Sequence, residues 1–264
     1  MKKVLAILRG LAMYAVFLLL PAGLWICAQL FLPASWQEGV LVFLENFSTI
    51  LTALLLLGLY ALRGRGPRES AGFAPREAPL SRHIAAFALG LLGNGAVSFL
   101  LNLLPASWLA GYAEQSAAAY DPNQSVLSIL AIVLLAPVGE ELIFRGMIYR
   151  SFREAMPVWL AGAASALLFG AAHLHPVWIC YAFAMGFCFA VMTERTGTLS
   201  TAVLAHLGFN LASLPSLLLP EDSLWVELIY GSAARYVVFS AVCILASVWL
   251  WMRFFAKRCA ECGR

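Results

Sequence analysis

Polar side chains that could perform chemistry occur at three places inside long apolar stretches of this sequence. In chain order they are Glu140, Glu141 and Arg145, then His173, then His206 and Asn210. A carboxylate that can accept a proton, placed near imidazole and amide groups, can activate a water molecule and stabilise an oxyanion. The three places are therefore candidates for parts of one catalytic site.

The spacing inside the first group separates the roles of its two carboxylates. Glu141 and Arg145 are four residues apart with the acid first, which is the favourable order for an ion pair on a helix. Glu140 points about 100° away and has no such partner nearby. A carboxyl group in apolar surroundings can accept a proton near neutral pH, so Glu140 is the candidate general base.

Composition shows what kind of elements must position these groups. Of the 264 residues, 62% are hydrophobic and only 12% are charged, whereas soluble domains have about 25% charged residues. This excludes a water-soluble globule, a nucleic-acid-binding protein and a disulfide scaffold. The sequence predicts an all-α polytopic membrane protein that forms one integral domain over residues 1–264.

Eight apolar runs are long enough to cross a hydrocarbon core, which takes about 20 residues per helix. We predict helices around a polar intramembrane cavity at 11–32, 39–62, 84–109, 125–150, 157–173, 177–193, 199–219 and 230–255. The catalytic core would be 125–219, and 256–264 would be a short tail.

The distribution of basic residues predicts the orientation of the chain. With eight spans and a cytoplasmic N-terminus, sixteen of the seventeen Lys and Arg residues fall on the cytoplasmic side, and only Arg235 does not. The outer connections at 33–38, 110–124, 174–176 and 220–229 contain no Lys or Arg. Since cytoplasmic loops retain basic residues, both termini are expected in the cytoplasm. The membrane itself is expected to be a bacterial inner membrane.

Helical rise tests whether the three places can meet. At about 1.5 Å per residue from the cytoplasmic ends, Glu140 lies roughly 20 Å deep, His173 about 24 Å, His206 about 10 Å and Asn210 about 16 Å. Straight ideal helices would keep these groups apart. A kink, a helix broken near Gly146, or a water-filled cavity is required to bring them together.

The motifs resemble those of the CPBP family of intramembrane proteases, also called the Abi or Rce1-like CAAX prenyl endopeptidase family. The run Glu140-Glu141-x-x-x-Arg145 is similar to the first family motif. Phe169-x-x-x-His173 is similar to the second, and His206-x-x-x-Asn210 to the third. Thr196–Leu199 is also similar to the segment that precedes the third motif in the family.

The resemblance implies proteolysis at or within the membrane, with a peptide or protein as substrate. It implies that Glu140 is the general base that activates a water held also by His173. His206 and Asn210 would stabilise the oxyanion. Three further residues, Glu141, Arg145 and Phe169, would support the site.

The metal requirement is open at this stage. Family members are described both as metalloproteases and as metal-free glutamate proteases. Glu140, His173 and His206 could form a zinc site with an open position, but no HExxH motif fixes two ligands on one helix. We expect no cofactor, with zinc as the alternative.

Two other classes of protein would also keep polar groups in the membrane. One is a non-proteolytic immunity, maturation or scaffold protein of the same fold. The other is a proton-coupled carrier, which would be expected to show inverted repeats. The only repeat found is Leu-Pro-Ala-Ser-Trp, at 32–36 and 104–108, where Pro ends a helix and Trp anchors it at the interface.

Overall fold

The computed structural model describes residues 1–62, 78–119, 129–215, 219–220 and 222–257. These ranges are mostly helical and contain no strand, which confirms the all-α prediction. The described helices are α1 (Lys2–Phe31), α2 (Ala34–Leu62), α3 (Leu80–Asn102), α4 (Ala106–Ala119), α5 (residues 131–153), α6 (Val158–Ala171), α7 (Pro176–Thr196), α8 (Ser200–Leu211), α9 (Leu224–Tyr230) and α10 (Ala233–Leu250, continued by a π-helical turn Trp251–Phe255).

Within the described ranges, four helices are long and apolar enough to cross a membrane: α1, α3, α7 and α10. A fifth span results if the two arms of the bent α2 are counted as one. The helix α6 is apolar but has only 14 residues. The membrane prediction is therefore confirmed, whereas the count of eight spans is not.

Several predicted boundaries differ from the observed helix ends. The span predicted at 84–109 ends at Asn102, and a new helix, α4, begins after Pro105. Much of the predicted connection 110–124 is therefore helical. The span predicted at 199–219 stops at Leu211, and α9 lies in the predicted connection 220–229. Hydropathy averages across such breaks, since Pro ends a helix without making the sequence less apolar.

Parts of several predictions lie outside the described ranges. They are residues 63–77 between the second and third predicted spans, 120–124 and 221 in the outer connections, 125–128 at the start of the fourth span, 216–218 in the seventh span, and 258–264 in the tail.

The helix that carries the third motif is held against α3 by direct backbone contact. A Cβ atom at Gly90 would lie 1.9 Å from the carbonyl oxygen of Ala205, and one at Gly208 would lie 2.3 Å from that of Phe87. Small residues permit such close crossings between membrane helices. The α3–α8 contact therefore fixes the position of His206 within the bundle.

A tight turn joins α7 to α8. Gly197 ends α7 with φ of 74°, a left-handed conformation that glycine adopts without steric strain. The hydroxyl of Thr196 lies 2.8 Å from the carbonyl oxygen of Met192 and 2.9 Å from the hydroxyl of Thr201. This turn, which includes the predicted segment Thr196–Leu199, sets the start of α8 relative to the end of α7.

Candidate active site

The predicted ion pair of the first motif lies in the centre of the bundle. Arg145 Nη1 donates to Glu141 Oε1 over 3.0 Å, and both side chains are fully buried. Their backbone belongs to α5, in which a short α-helical segment, Ala136–Glu141, is followed by a π-helical one, Leu142–Tyr149. Such π-helical segments are frequent at functional sites. The helix continues through Gly146, so the break considered there is absent, and its irregularity is the π-helical segment Leu142–Tyr149.

Aromatic rings surround the guanidinium of Arg145. Its central carbon lies 4.3 Å from the ring centre of Phe169 and 5.5 Å from that of Phe189. In the described part of the chain, Nε and Nη2 have no hydrogen-bond acceptor. Cation–π contacts with these rings therefore compensate part of the lost hydration.

Glu141 connects the ion pair to the third motif. Its Oε1 atom accepts from Arg145 and is also 2.9 Å from Nδ1 of His206. Because Arg145 stabilises the ionised carboxylate, Nδ1 of His206 is the donor in this contact. Glu141 thereby fixes the orientation of the His206 ring and directs Nε2 the other way.

Nε2 of His206 points to the carboxylate of Glu140, the other acid of the first motif. The distance from Nε2 to Glu140 Oε2 is 3.6 Å, so the two groups are close without a short hydrogen bond. The side chain of Glu140 is 18% exposed, whereas that of Glu141 is fully buried. The two adjacent glutamates therefore differ in their surroundings: Glu141 is buried in an ion pair, and Glu140 is partly exposed beside His206.

A cavity of about 120 Å³ brings the three motifs together. The four predicted catalytic residues all line it: Glu140, His173, His206 and Asn210. Phe169 forms part of its wall as well. The structure thus places every residue of the predicted catalytic set around one space large enough for a few water molecules.

His173 reaches this cavity because α6 is short. The helix ends at Ala171, and His173 lies in the turn before α7. Nδ1 of His173 is 2.9 Å from the carbonyl oxygen of Phe169, which can only accept, so Nδ1 carries the proton. A neutral ring in this tautomer has Nε2 as an acceptor, which is suited to binding a water molecule.

Asn210 makes a contact that the sequence did not indicate. Its Nδ2 donates to the carbonyl oxygen of Ile132 in α5 over 3.2 Å. That carbonyl lacks a helical donor: the amide of Ala136 bonds to Ala131 instead, and the next residue, Pro137, has no N–H. Asn210 therefore satisfies a carbonyl that the π-helical turn leaves free, and it joins α8 to α5.

Two residues of α7 contribute to the site although no motif identified them. Phe189 packs against both Arg145 and His206. Gly186 makes room for the guanidinium, since a Cβ there would lie 2.6 Å from Arg145 Nη2. Neither differs in type from other residues of an apolar helix, so a single sequence carried no signal for them.

The alternative zinc site would require Glu140, His173 and His206 to converge on one point. Among the described residues, no group of three His, Cys, Asp or Glu side chains is arranged to hold a metal ion. Glu140 and His206 are neighbours, but His173 does not complete a ligand set with them. In this arrangement the described residues do not form a three-ligand zinc centre.

Comparison with known proteins relates the central segment to one family. The family described as Type II CAAX prenyl endopeptidase Rce1-like matches residues 122–212. This range includes all seven predicted site residues.

Two curated proteins are similar to parts of the chain. "Putative membrane peptidase YdiL" of Bacillus subtilis (strain 168) is 28% identical over 173 residues, which are 65% of this chain and 68% of that protein. An uncharacterized 24.3 kDa protein of Escherichia coli is 34% identical over 87 residues, which are 31% of this chain and 40% of that protein. No solved structure matches significantly.

Proposed function

We propose that this protein is an intramembrane endopeptidase, because its central segment, residues 122–212, matches the Rce1-like CAAX prenyl endopeptidase family. It hydrolyses a bond in a peptide or protein at the membrane. The observation that carries the proposal is the cavity in which a partly exposed Glu140 faces His206 Nε2 at 3.6 Å, and which His173 also lines.

In the proposed reaction Glu140 takes a proton from a water molecule that lies between its carboxylate and Nε2 of His173. The water oxygen then attacks the carbonyl carbon of the scissile bond. Glu140 afterwards gives the proton to the leaving amine. Both the tautomer of His173 and the exposure of Glu140 support these roles.

His206 has the role of oxyanion stabiliser in this mechanism. Its Nδ1–H is held by Glu141, so a proton on Nε2 makes the ring an imidazolium that can donate to the developing oxyanion. The charges of Arg145 and His206 then balance those of Glu140 and Glu141. The net charge of the site stays zero when the proton moves to Glu140 and the negative charge moves to the substrate oxygen. A constant net charge of zero suits an apolar environment.

Asn210 supports the site in two ways. One amide proton binds Ile132 and holds α8 against α5. The second proton on the same nitrogen is available to the oxyanion, in keeping with the position of Asn210 on the cavity wall.

The test is cleavage of a pool of internally quenched fluorescent peptides by the purified protein in proteoliposomes. Glu140→Gln keeps the size of the side chain and removes its basicity, so we expect cleavage to fall by at least 10²-fold. The matched control is Glu227→Gln, on an exposed carboxylate of α9, which is expected to cleave at the wild-type rate. Full activity of Glu140→Gln would contradict the mechanism.

Metal content measured on the same samples decides the remaining alternative. Zinc at one per chain in the wild type, lost in both His173→Ala and His206→Ala, would replace the metal-free mechanism. Two results together would favour a scaffold or immunity protein of the same fold. The correctly inserted wild type would cleave none of the peptides, and its cellular phenotype would be unchanged by Glu140→Gln.

A further inference from the structure

A second, larger cavity adjoins the candidate active site. Its volume is about 520 Å³, which is within the usual range for ligand pockets. It shares Trp178, Tyr181 and Phe209 with the smaller cavity, so these three side chains form a common wall. We call the larger space the apolar chamber; none of the described residues that line it is charged.

The chamber residues lie at the same end of three long helices. In α3 they lie in the second half, from Leu91 to Leu101, whereas Arg82 is in the first turn. In α7, Trp178 and Tyr181 are in the first two turns, whereas Arg195 is in the last.

The last helix has the same arrangement. Phe239 and Cys243 lie in the first three turns of α10, and Arg253 lies near its end. The chamber residues lie in the C-terminal half of α3 and in the N-terminal half of α7 and α10, in each case away from Arg82, Arg195 or Arg253. Arg235, in the first turn of α10, is the exception among the described Lys and Arg residues of these three helices. The chamber thus occupies one side of the bundle, opposite the ends that carry Arg82, Arg195 and Arg253.

The space between the active site and the basic ends is filled. Ile148, Tyr149, Met192 and Leu199 each have at most 2% of their surface exposed. They lie on α5, on α7 and in the turn before α8. On the side of the basic ends these side chains are closely packed, whereas on the other side the cavity that contains Glu140 shares a wall with the chamber.

In the orientation that the basic residues predict, with these basic ends in the cytoplasm, the chamber faces the outer half of the membrane. We propose that it binds an apolar, uncharged segment of the peptide substrate, which enters from the outer side and places the adjoining bond beside Glu140. This inference rests on the proposed function and adds to it the side of entry and the chemistry of the substrate. Its basis is the wall that the chamber shares with the catalytic cavity, and its uncharged lining.

The first experiment measures from which side the chamber is reached, and it does not require proteolysis. In a variant whose six cysteines are replaced by serine, Ser98→Cys places a thiol in the chamber and Lys257→Cys places one at the basic end. A membrane-impermeant maleimide is added outside sealed, right-side-out vesicles. We expect Ser98→Cys to be modified, and Lys257→Cys only after detergent is added. The reverse result, or a Ser98→Cys thiol that stays unmodified in detergent, would overturn the inference.

The second experiment fills the chamber. Ser98→Trp adds a large ring there, and Leu100→Trp places the same ring on the outward face of α3, where Leu100 is 56% exposed. With quenched peptides that carry an apolar flank, we expect Ser98→Trp to raise KM at least tenfold with little change in kcat. Leu100→Trp should resemble the wild type.

The outcomes separate the two proposals. Unchanged KM for Ser98→Trp would overturn the inference and leave the proposed peptidase intact. Loss of co-purified lipid in Ser98→Trp with unchanged cleavage would identify the chamber as a lipid site and would also overturn it. A wild type that cleaves nothing would instead contradict the proposed function, and the labelling result would still show which side the chamber faces.

Discussion

Substitution of Gly186 by alanine tests the packing that holds the ion pair. Gly186 lies in α7, remote in sequence from the first motif. An added Cβ would lie 2.6 Å from Arg145 Nη2 and 3.0 Å from Cδ1 of Phe169. Non-bonded carbon and nitrogen atoms need about 3.5 Å, so one of these groups must move by about 1 Å.

The guanidinium cannot move freely, although it is the end of a long side chain. It is fully buried, bonded to Glu141 at 3.0 Å and stacked on Phe169 at 4.3 Å. If the guanidinium moved, Glu141 would move with it. His206 would then move as well, because its Nδ1 contacts the same carboxylate oxygen. A shift of about 1 Å at a catalytic group can reduce the rate by about 10²-fold.

The effect on stability is smaller than the effect on rate. Overpacking a core costs about 1–3 kcal/mol, and alanine is favoured over glycine inside a helix by about 0.5–1 kcal/mol. We therefore expect the free energy of unfolding to fall by about 1–2 kcal/mol. The protein should insert and fold, and its cleavage rate should still be strongly reduced.

The measurements are peptide cleavage in proteoliposomes and thermal unfolding in detergent. Gly162→Ala is the matched control, because a Cβ there would meet its nearest neighbour, Phe187, at an ordinary 3.4 Å. This control should keep the wild-type cleavage rate and unfold at the same or a higher temperature. If Gly186→Ala cleaved as fast as Gly162→Ala, the ion pair would not control the geometry of His206 and the reasoning would be refuted.

Three further substitutions address the supporting contacts. Arg145→Met leaves the buried carboxylate of Glu141 without its cation and should lower the free energy of unfolding by about 3–5 kcal/mol; the double variant Glu141→Gln/Arg145→Met, also measured by unfolding in detergent, should recover part of this loss. Asn210→Ala leaves the carbonyl of Ile132 unbonded and should lower the same free energy by about 1–3 kcal/mol. Gly208→Ala drives a Cβ into the backbone of α3 and should prevent folding, whereas Gly93→Ala, with its nearest neighbour at 4.0 Å, should fold normally in a detergent size-exclusion assay.

Each of these expectations has a result that contradicts it. A double variant less stable than Arg145→Met would show that the charges do not depend on each other. An Asn210→Ala protein as stable as the wild type would mean that Ile132 finds another donor. Monodisperse, folded Gly208→Ala protein would show that α3 and α8 are not held at backbone contact.

The sequence predicted the helical class and the membrane location because both depend on local composition. Long apolar runs with few charges can satisfy their backbone in lipid only as helices. It failed at helix ends such as Asn102 and Leu211, where a turn interrupts residues that remain apolar. The number of spans, predicted as eight, stays unconfirmed, with four to five such helices in the described ranges.

The sequence by itself determined which residues form the candidate site, since ionisable groups inside apolar helices are costly and few. Only the tertiary structure decided how they are connected. His206 uses one nitrogen for Glu141 and turns the other to Glu140, and Asn210 binds a carbonyl freed by Pro137. The role of Gly186 and the existence of the apolar chamber were likewise decided only by the tertiary structure. These contacts join helices far apart in the chain, and their distances depend on how the helices pack, which the spacing of residues along one helix does not encode.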